Sequence, residues 1–175
     1  MKAKADLAEF VQARYPALLR IAYLLTGSAH EAEDLVQASL LKAMRRWDSI
    51  DDPLPYVRRI MTNLHISRWR RHRAHELLAS IVPDRHAQDV TEKIAERQAL
   101  LDAMRSLPPR TRAVIVLRYW ADLSEADTAD TLGCSVGSVK STASRGLARL
   151  RAVLGPPTQG KPVAPGPTTT VGRTL

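Results

Sequence analysis

Residues 124–145 read SEADTADTLGCSVGSVKSTASR. Ser124, with an acid three residues on at Asp127, is a helix-start signal. The helix it opens closes at Leu132, because Gly133 supplies the positive φ of a tight turn. Ser135 then caps a longer helix expected over about 136–154. Ala129 is small where two helices cross closely, and Leu132 and Val139 hold the pair together. Two capped helices on a three-residue turn are the pattern of a DNA-binding helix-turn-helix. The second helix leaves Ser138, Lys140, Ser141, Thr142, Ser144 and Arg145 outside its apolar stripe, short hydroxyls for base edges and long cations for phosphates. A plain helical hairpin shares the caps and the glycine but has no use for an acid-free cationic face.

Upstream of this motif the apolar residues recur at three and four positions. Thr91 is the expected N-cap of a helix marked by Ile94, Leu101 and Met104, and Pro108-Pro109 ends it and starts the next. That next helix offers Ala113, Val114, Val116, Leu117 and Trp120 to a core. Near the N-terminus a first helix runs over about 6–25, with Leu7, Phe10, Val11, Leu18, Ile21, Ala22 and Leu25 in its stripe. Pro16 inside it predicts a kink or a break, and Gly27 ends it. Ser28 and Glu31 form a capping box. The second helix is expected to bury Ala32, Leu35, Val36, Ala43, Met44 and Trp47 and to show Glu33, Asp34, Gln37 and Lys42. A loop is expected over 48–55, and Pro55 suits the first position of a third helix. There Val57, Ile60, Met61 and Leu64 face inward, while Arg58, Arg59, Arg68, Arg70, Arg71 and Arg73 crowd the surface around Trp69.

Periodicity fades from Glu76 to Val90, and after Gly155 the chain is rich in Pro, Gly and Thr. The expected architecture is therefore all-α. Two small helical domains, residues 1–75 and 91–154, are joined by a flexible linker over 76–90 and followed by a disordered tail over 155–175. Each half is under about 80 residues, a size at which a helical core is only marginally stabilising.

Of 175 residues, 26 are Lys or Arg and 18 are Asp or Glu, a net charge of +8. The excess is concentrated. Residues 53–75 hold six arginines and no acid, and residues 131–175 hold six basic side chains and no acid, with acidic sequence between them. Two separated cationic blocks suggest two contacts with a polyanion. One cysteine, Cys134, excludes an internal disulfide framework and a cysteine-rich zinc site. His65 and His72 are not at a metal-binding spacing. No apolar run approaches the roughly 20 residues of a membrane span, and the charged start is not a secretory signal. A cytoplasmic protein without metal or cofactor is expected. No phosphate loop, dinucleotide fingerprint or nucleophile elbow is present, so an enzyme is not expected.

With these motifs in order, the chain resembles the extracytoplasmic-function (ECF, group IV) sigma factors of bacterial RNA polymerase over about residues 5–153, in the phrasing of an actinobacterial, SigE-like subgroup. Ala32-Glu33-Asp34-Leu35-Val36-Gln37 resembles the family's region 2.2. Pro55-Tyr56-Val57 through Ile60-Met61-Thr62-Asn63-Leu64, with the arginine run, resembles regions 2.3 and 2.4. Leu107 to Val114 with Leu117-Arg118-Tyr119 resembles the start of domain four, and residues 123–126 and 132–141 its helix-turn-helix. The pattern departs at Ala38, where glutamate is common, and at Ser67, where aspartate is common.

The resemblance implies that domain two binds the clamp helices of the polymerase's largest subunit through Asp34, Gln37, Leu41 and Lys42. It also implies that domain two reads and melts the −10 element with Arg58, Arg59, Asn63, Arg68, Arg70 and Arg71. Domain four would sit on the flap of the second-largest subunit and read the −35 element with Ser138, Lys140, Ser141, Thr142, Ser144 and Arg145. Promoter DNA and core polymerase are the implied partners, an anti-sigma factor a further one, and no membrane insertion is implied. A stand-alone helix-turn-helix regulator is the alternative; it accounts for residues 125–150 but not for the arginine block at 58–73 or the polar stripe at 33–42.

Overall fold

The computed structural model describes residues 6–76 and 92–155, and the expected linker over 77–90, the Thr91 cap and the tail from 156 onward lie outside them. Among the described residues there are seven α-helices and one 3-10 turn. They are α1 (Leu7–Thr26), α2 (Ala29–Met44), the 3-10 turn Trp47–Ser49, α3 (Pro53–Glu76), α4 (Glu92–Ser106), α5 (Pro109–Tyr119), α6 (Glu125–Leu132) and α7 (Val136–Leu154).

Local chemistry sets most of the boundaries. Gly27 ends α1 at φ 76°, and its N–H donates to the Tyr23 carbonyl at 2.7 Å. The Ser28 hydroxyl accepts from the Glu31 N–H, Ser124 from Asp127 and Ser135 from Ser138. Each bond satisfies one of the N–H groups that a helix start leaves without an intrahelical partner. Gly133 turns α6 into α7 at φ 60°.

Three expectations are corrected. Of the kink or break expected at Pro16, the break is absent: α1 is one helix from Leu7 to Thr26. Proline removes one ladder bond, but Leu18, Ile21, Ala22 and Leu25 beyond it are all buried, and that burial holds the helix together. α3 begins at Pro53, not Pro55, because Asp52 caps it by accepting from the Leu54 N–H at 3.3 Å; it also includes Glu76. Met44 and Trp120, expected in the core, are 51% and 44% exposed. Trp47 is half-buried and packs edge-on against Phe10 at 5.1 Å between ring centroids.

α1, α2 and α3 pack as one unit, and α4, α5 and α6 surround α7 as another. The buried apolar residues of both halves join in a single cluster, in which α1 meets α4 and α5, and α3 meets α5 and α6.

The join between the halves is polar as well as apolar. α1 has no basic residue in its last turn, so nothing on the helix itself answers the partial negative charge of its carbonyl end. The second half supplies it. Arg112 Nη1 donates to the Leu25 carbonyl at 2.5 Å, and Arg105 Nη2 donates to the Gly27 carbonyl. Gly27 supplies the left-handed turn at φ 76°, and the Arg105 side chain lies against it. Arg112 also donates to the Arg105 and Leu107 carbonyls.

Candidate nucleic-acid and polymerase interfaces

α7 carries the face that the sequence marks as a candidate for DNA recognition. Val139, Ala143, Gly146 and Leu150 are buried at three- and four-residue spacing. Gly146 lets α5 approach, since a Cβ there would lie 2.8 Å from Thr111 Cγ2 and 3.0 Å from Ile115 Cγ1. The opposite side leaves Lys140, Ser141, Ser144 and Arg145 exposed, with Ser138 and Thr142 half-buried. Lys140 Nζ pairs with Glu125 Oε2 at 3.5 Å, and Arg145 Nε donates to the Ser141 carbonyl at 3.3 Å. Both contacts are exposed and worth little in water, so a phosphate can take either cation.

α3 is less uniform. Arg59, Asn63, Arg68, Arg70 and Arg71 are exposed along it, and Arg58 is half-buried. Burial first, and then repulsion from Arg14, lower the Arg58 pKa, with Asp52 acting the other way. Arg58 therefore sits against its own domain more than the other arginines do. His65 is 8% exposed and its pKa is lowered to about 4, by burial and then by Arg112 and Arg68. It is a neutral interior group at neutral pH.

Beside the N-terminal turns of α3 lies a cavity of about 380 Å³ that sequence reading missed. Arg46, Asp51, Asp52, Tyr56 and Arg59 wall it from the first half, and Asp130 and Thr131 from α6. Its size falls in the range of ligand pockets, about 300–1,000 Å³. The Arg45-Arg46 pair and Tyr56 were visible in the sequence, but only the fold brings them together.

On α2, Asp34, Gln37, Leu41 and Lys42 are all exposed, and Leu41 is 63% exposed. Positions 34, 37, 41 and 44 fall on one helix face, which adds the exposed Met44 to that stripe. Leu41 and Met44 thus stand uncovered beside polar side chains on this face. The spacing signalled the stripe; the expectation that Met44 is core hid its last member.

The first half, residues 10–75, matches the family Sigma-70 region 2, and residues 97–150 match Sigma-70, region 4. The RNA polymerase sigma-E factor of Streptomyces avermitilis is 41% identical over 152 residues, 85% of either chain. The chain belongs to the extracytoplasmic-function sigma factors of the sigma-70 family. Another relative of this sigma factor, the ECF RNA polymerase sigma factor EcfG of Rhodopseudomonas palustris, is 32% identical over 157 residues, again 85% of each. Among solved structures, the sigma factor RpoE of Bartonella quintana, in complex with the anti-sigma factor NepR, aligns with a TM-score of 0.69 at 27% identity. That match covers 85% of this sigma factor and 96% of the other chain. The stand-alone regulator is not favoured, because the region 2 match takes in the half that such a regulator leaves unexplained. Among the described residues no helix is long and apolar enough to cross a membrane, and no three His, Cys, Asp or Glu side chains gather to hold a metal.

Proposed function

We propose that this sigma factor works through three surfaces, one for polymerase and two for DNA. The carrying observation is that each half holds a helix with several exposed cations and no acid among the described side chains, Arg59, Arg68, Arg70 and Arg71 on α3 and Lys140, Arg145, Arg149 and Arg151 on α7. Asp34, Gln37, Leu41, Lys42 and Met44 on α2 contact the clamp helices of the largest polymerase subunit. Arg59, Asn63, Arg68, Arg70 and Arg71 hold the −10 strand, with Arg58 contributing from a half-buried position. Single-stranded DNA is held by cations along its backbone and by platforms or pockets for unstacked bases, and the cavity beside Tyr56 and Arg59 supplies the latter. Lys140, Ser141, Ser144 and Arg145, flanked by Ser138 and Thr142, read the −35 duplex, while the same half rests on the flap of the second-largest subunit. The protein acts in the cytoplasm without catalytic chemistry of its own. The units that do this are residues 1–75 and 91–154.

An anti-sigma factor is the further partner, as the RpoE complex supports. The surface that suits it is an apolar cleft of about 580 Å³ between the halves, where Leu19, Leu24, Leu100 and Trp120 meet and Arg97 stacks on Tyr23 at 5.6 Å.

The test is transcription of a genomic fragment library by core polymerase with and without the protein. New start sites sharing two spaced upstream elements are expected. DNA binding without any new start site would return the reading to a stand-alone regulator. Asp34→Ala combined with Gln37→Ala is expected to weaken core binding in a pull-down with the thermal melt unchanged; unchanged core affinity would remove α2 from that interface.

A further inference from the structure

Of the five glycines among the described residues, four have a reason inside the chain. Gly27, Gly133 and Gly155 hold positive φ. Gly146 lies so close to α5 that a Cβ would fall 2.8 Å from Thr111 Cγ2. Gly137 has neither reason. Its φ is outside the left-handed region, and a Cβ placed on it would meet nothing within 4 Å. It is the second residue of α7, and apart from proline no residue suits a helix less than glycine. Backbone conformation and packing both leave alanine free to stand there.

The position of Gly137 on α7 shows what it faces. At about 100° per residue, residues 137, 141, 144 and 148 form one row opposite the buried stripe of Val139, Ala143, Gly146 and Leu150. That row reads Gly, Ser, Ser, Ala, and all four are exposed. Lys140 flanks it on one side and Arg145 on the other. The outermost line of the helix is thus its slimmest, and the long cations stand to the sides. A helix with its side chains is about 10–12 Å across, and the major groove of B-DNA is about 12 Å wide. In so close a fit, each atom added at the leading edge moves the helix axis outward.

We propose that Gly137 is kept bare for the DNA and not for the fold. It is the point where the α7 backbone comes nearest the groove floor, and it sets how deeply the start of the helix is seated. Depth in turn governs whether Ser141 and Ser144 reach base edges while Lys140 and Arg145 reach the phosphates on either wall. Gly137 is therefore a positioning residue for upstream recognition. This rests on the reading of α7 as the duplex-binding helix.

The test uses holoenzyme assembled from core polymerase and the full-length chain. The probe is a duplex that ends just downstream of the upstream element, taken from a start site that the wild-type chain directs. A second duplex has that element scrambled. Gly137→Ala is expected to melt no lower than wild type, since alanine is the better helix residue and meets nothing. Its affinity for the first duplex is expected to fall about tenfold, the worth of one good base contact. Affinity for the scrambled duplex should fall far less, since binding through phosphates alone needs no deep seating. Gly137→Gln, longer but still a good helix former, should lose more. Wild-type affinity in both variants, while Lys140→Ala with Arg145→Ala weakens binding, overturns the role of Gly137 and leaves α7 as the reader. A lowered melt for Gly137→Ala also overturns it, because the glycine would then serve the fold. Wild-type affinity in the Lys140→Ala, Arg145→Ala pair, or no preference of the wild type for the first duplex, overturns the reading of α7 and the proposal with it.

Discussion

α3 and α7 are both arginine-bearing helices with one buried side, yet their polar sides meet solvent differently. Among the described residues α7 packs chiefly against α4, α5 and α6 of its own half, and Ser141, Ser144, Lys140 and Arg145 are exposed. α3 is met by α5 and α6 from the other half, so Arg59 shares a cavity with Asp130 and His65 is enclosed beside Arg112. The face of α7 proposed for duplex DNA is therefore open to solvent, whereas the face of α3 proposed for the single strand is partly met by the other half. Damage to α7 should therefore read out in duplex binding alone, and damage at the join should read out in both halves at once.

The largest effect is expected from Ile115→Ala. Ile115 is fully buried and packs where Gly146 lets α7 approach. Emptying such a site costs about 2–5 kcal/mol. A calorimetric melt should show the loss, with −35 duplex binding falling and core binding through α2 retained. Loss of both together would mean that the halves fold as one unit.

Arg112→Met comes next. It leaves the Leu25, Arg105 and Leu107 carbonyls without this donor, and breaking a buried charged contact costs about 3 kcal/mol. Urea unfolding measures it, and hydrogen exchange should rise at the end of α1 as well as in the second half. Protection lost only in the second half would show that the arginine holds its own domain and not the join.

Acid should loosen the same place. His65 titrates near 6.5 when unfolded and about 4 when folded. Between those values the unfolded chain binds more protons, so stability falls as pH drops from 6.5 toward 4, by about 2 kcal/mol at pH 5. The groups facing it are Arg112 from α5 and Arg68 from α3, both cationic throughout, so neither titrates to mask the effect. His65→Gln should flatten urea midpoints measured from pH 7 to pH 5; an unchanged slope would place the acid-sensitive group elsewhere.

Arg145→Ala is the mildest. Its melt should match wild type, since the side chain is exposed and bonds only to its own helix. If Arg145 contacts a phosphate, binding to every duplex should weaken alike and the salt slope drop by about one; a guanine contact would instead cost about 1–3 kcal/mol at one position.

What the sequence disclosed follows the same division. Caps at Ser28, Ser124 and Ser135, the turns at Gly27 and Gly133 and the Pro108-Pro109 break are legible because each rests on bonds within a few residues. The recognition face of α7 is legible for the same reason: its buried and exposed sides are both fixed by helical spacing. The join between the halves is not, since Arg105 and Arg112 bond to carbonyls 78 and 87 residues away. Met44 and Trp120 misled because an apolar side chain at a core-like spacing carries no mark of whether its cover is this chain or another. Pro16 does not break α1 because its local cost is set against burial farther along the helix.

The carbonyl end of α1 also bears on how freely such chains exchange parts. Its counter-charges come from positions 105 and 112, so a hybrid gene that grafts a foreign second half onto residues 1–76 inherits the exposed end but not its neutralisation. Grafts whose donors carry arginine at both positions should yield well-behaved hybrids. Others should give products that melt early, even where every promoter contact has been copied faithfully. Compatibility between halves then turns on two side chains that bond to main-chain carbonyls of α1 and the turn after it.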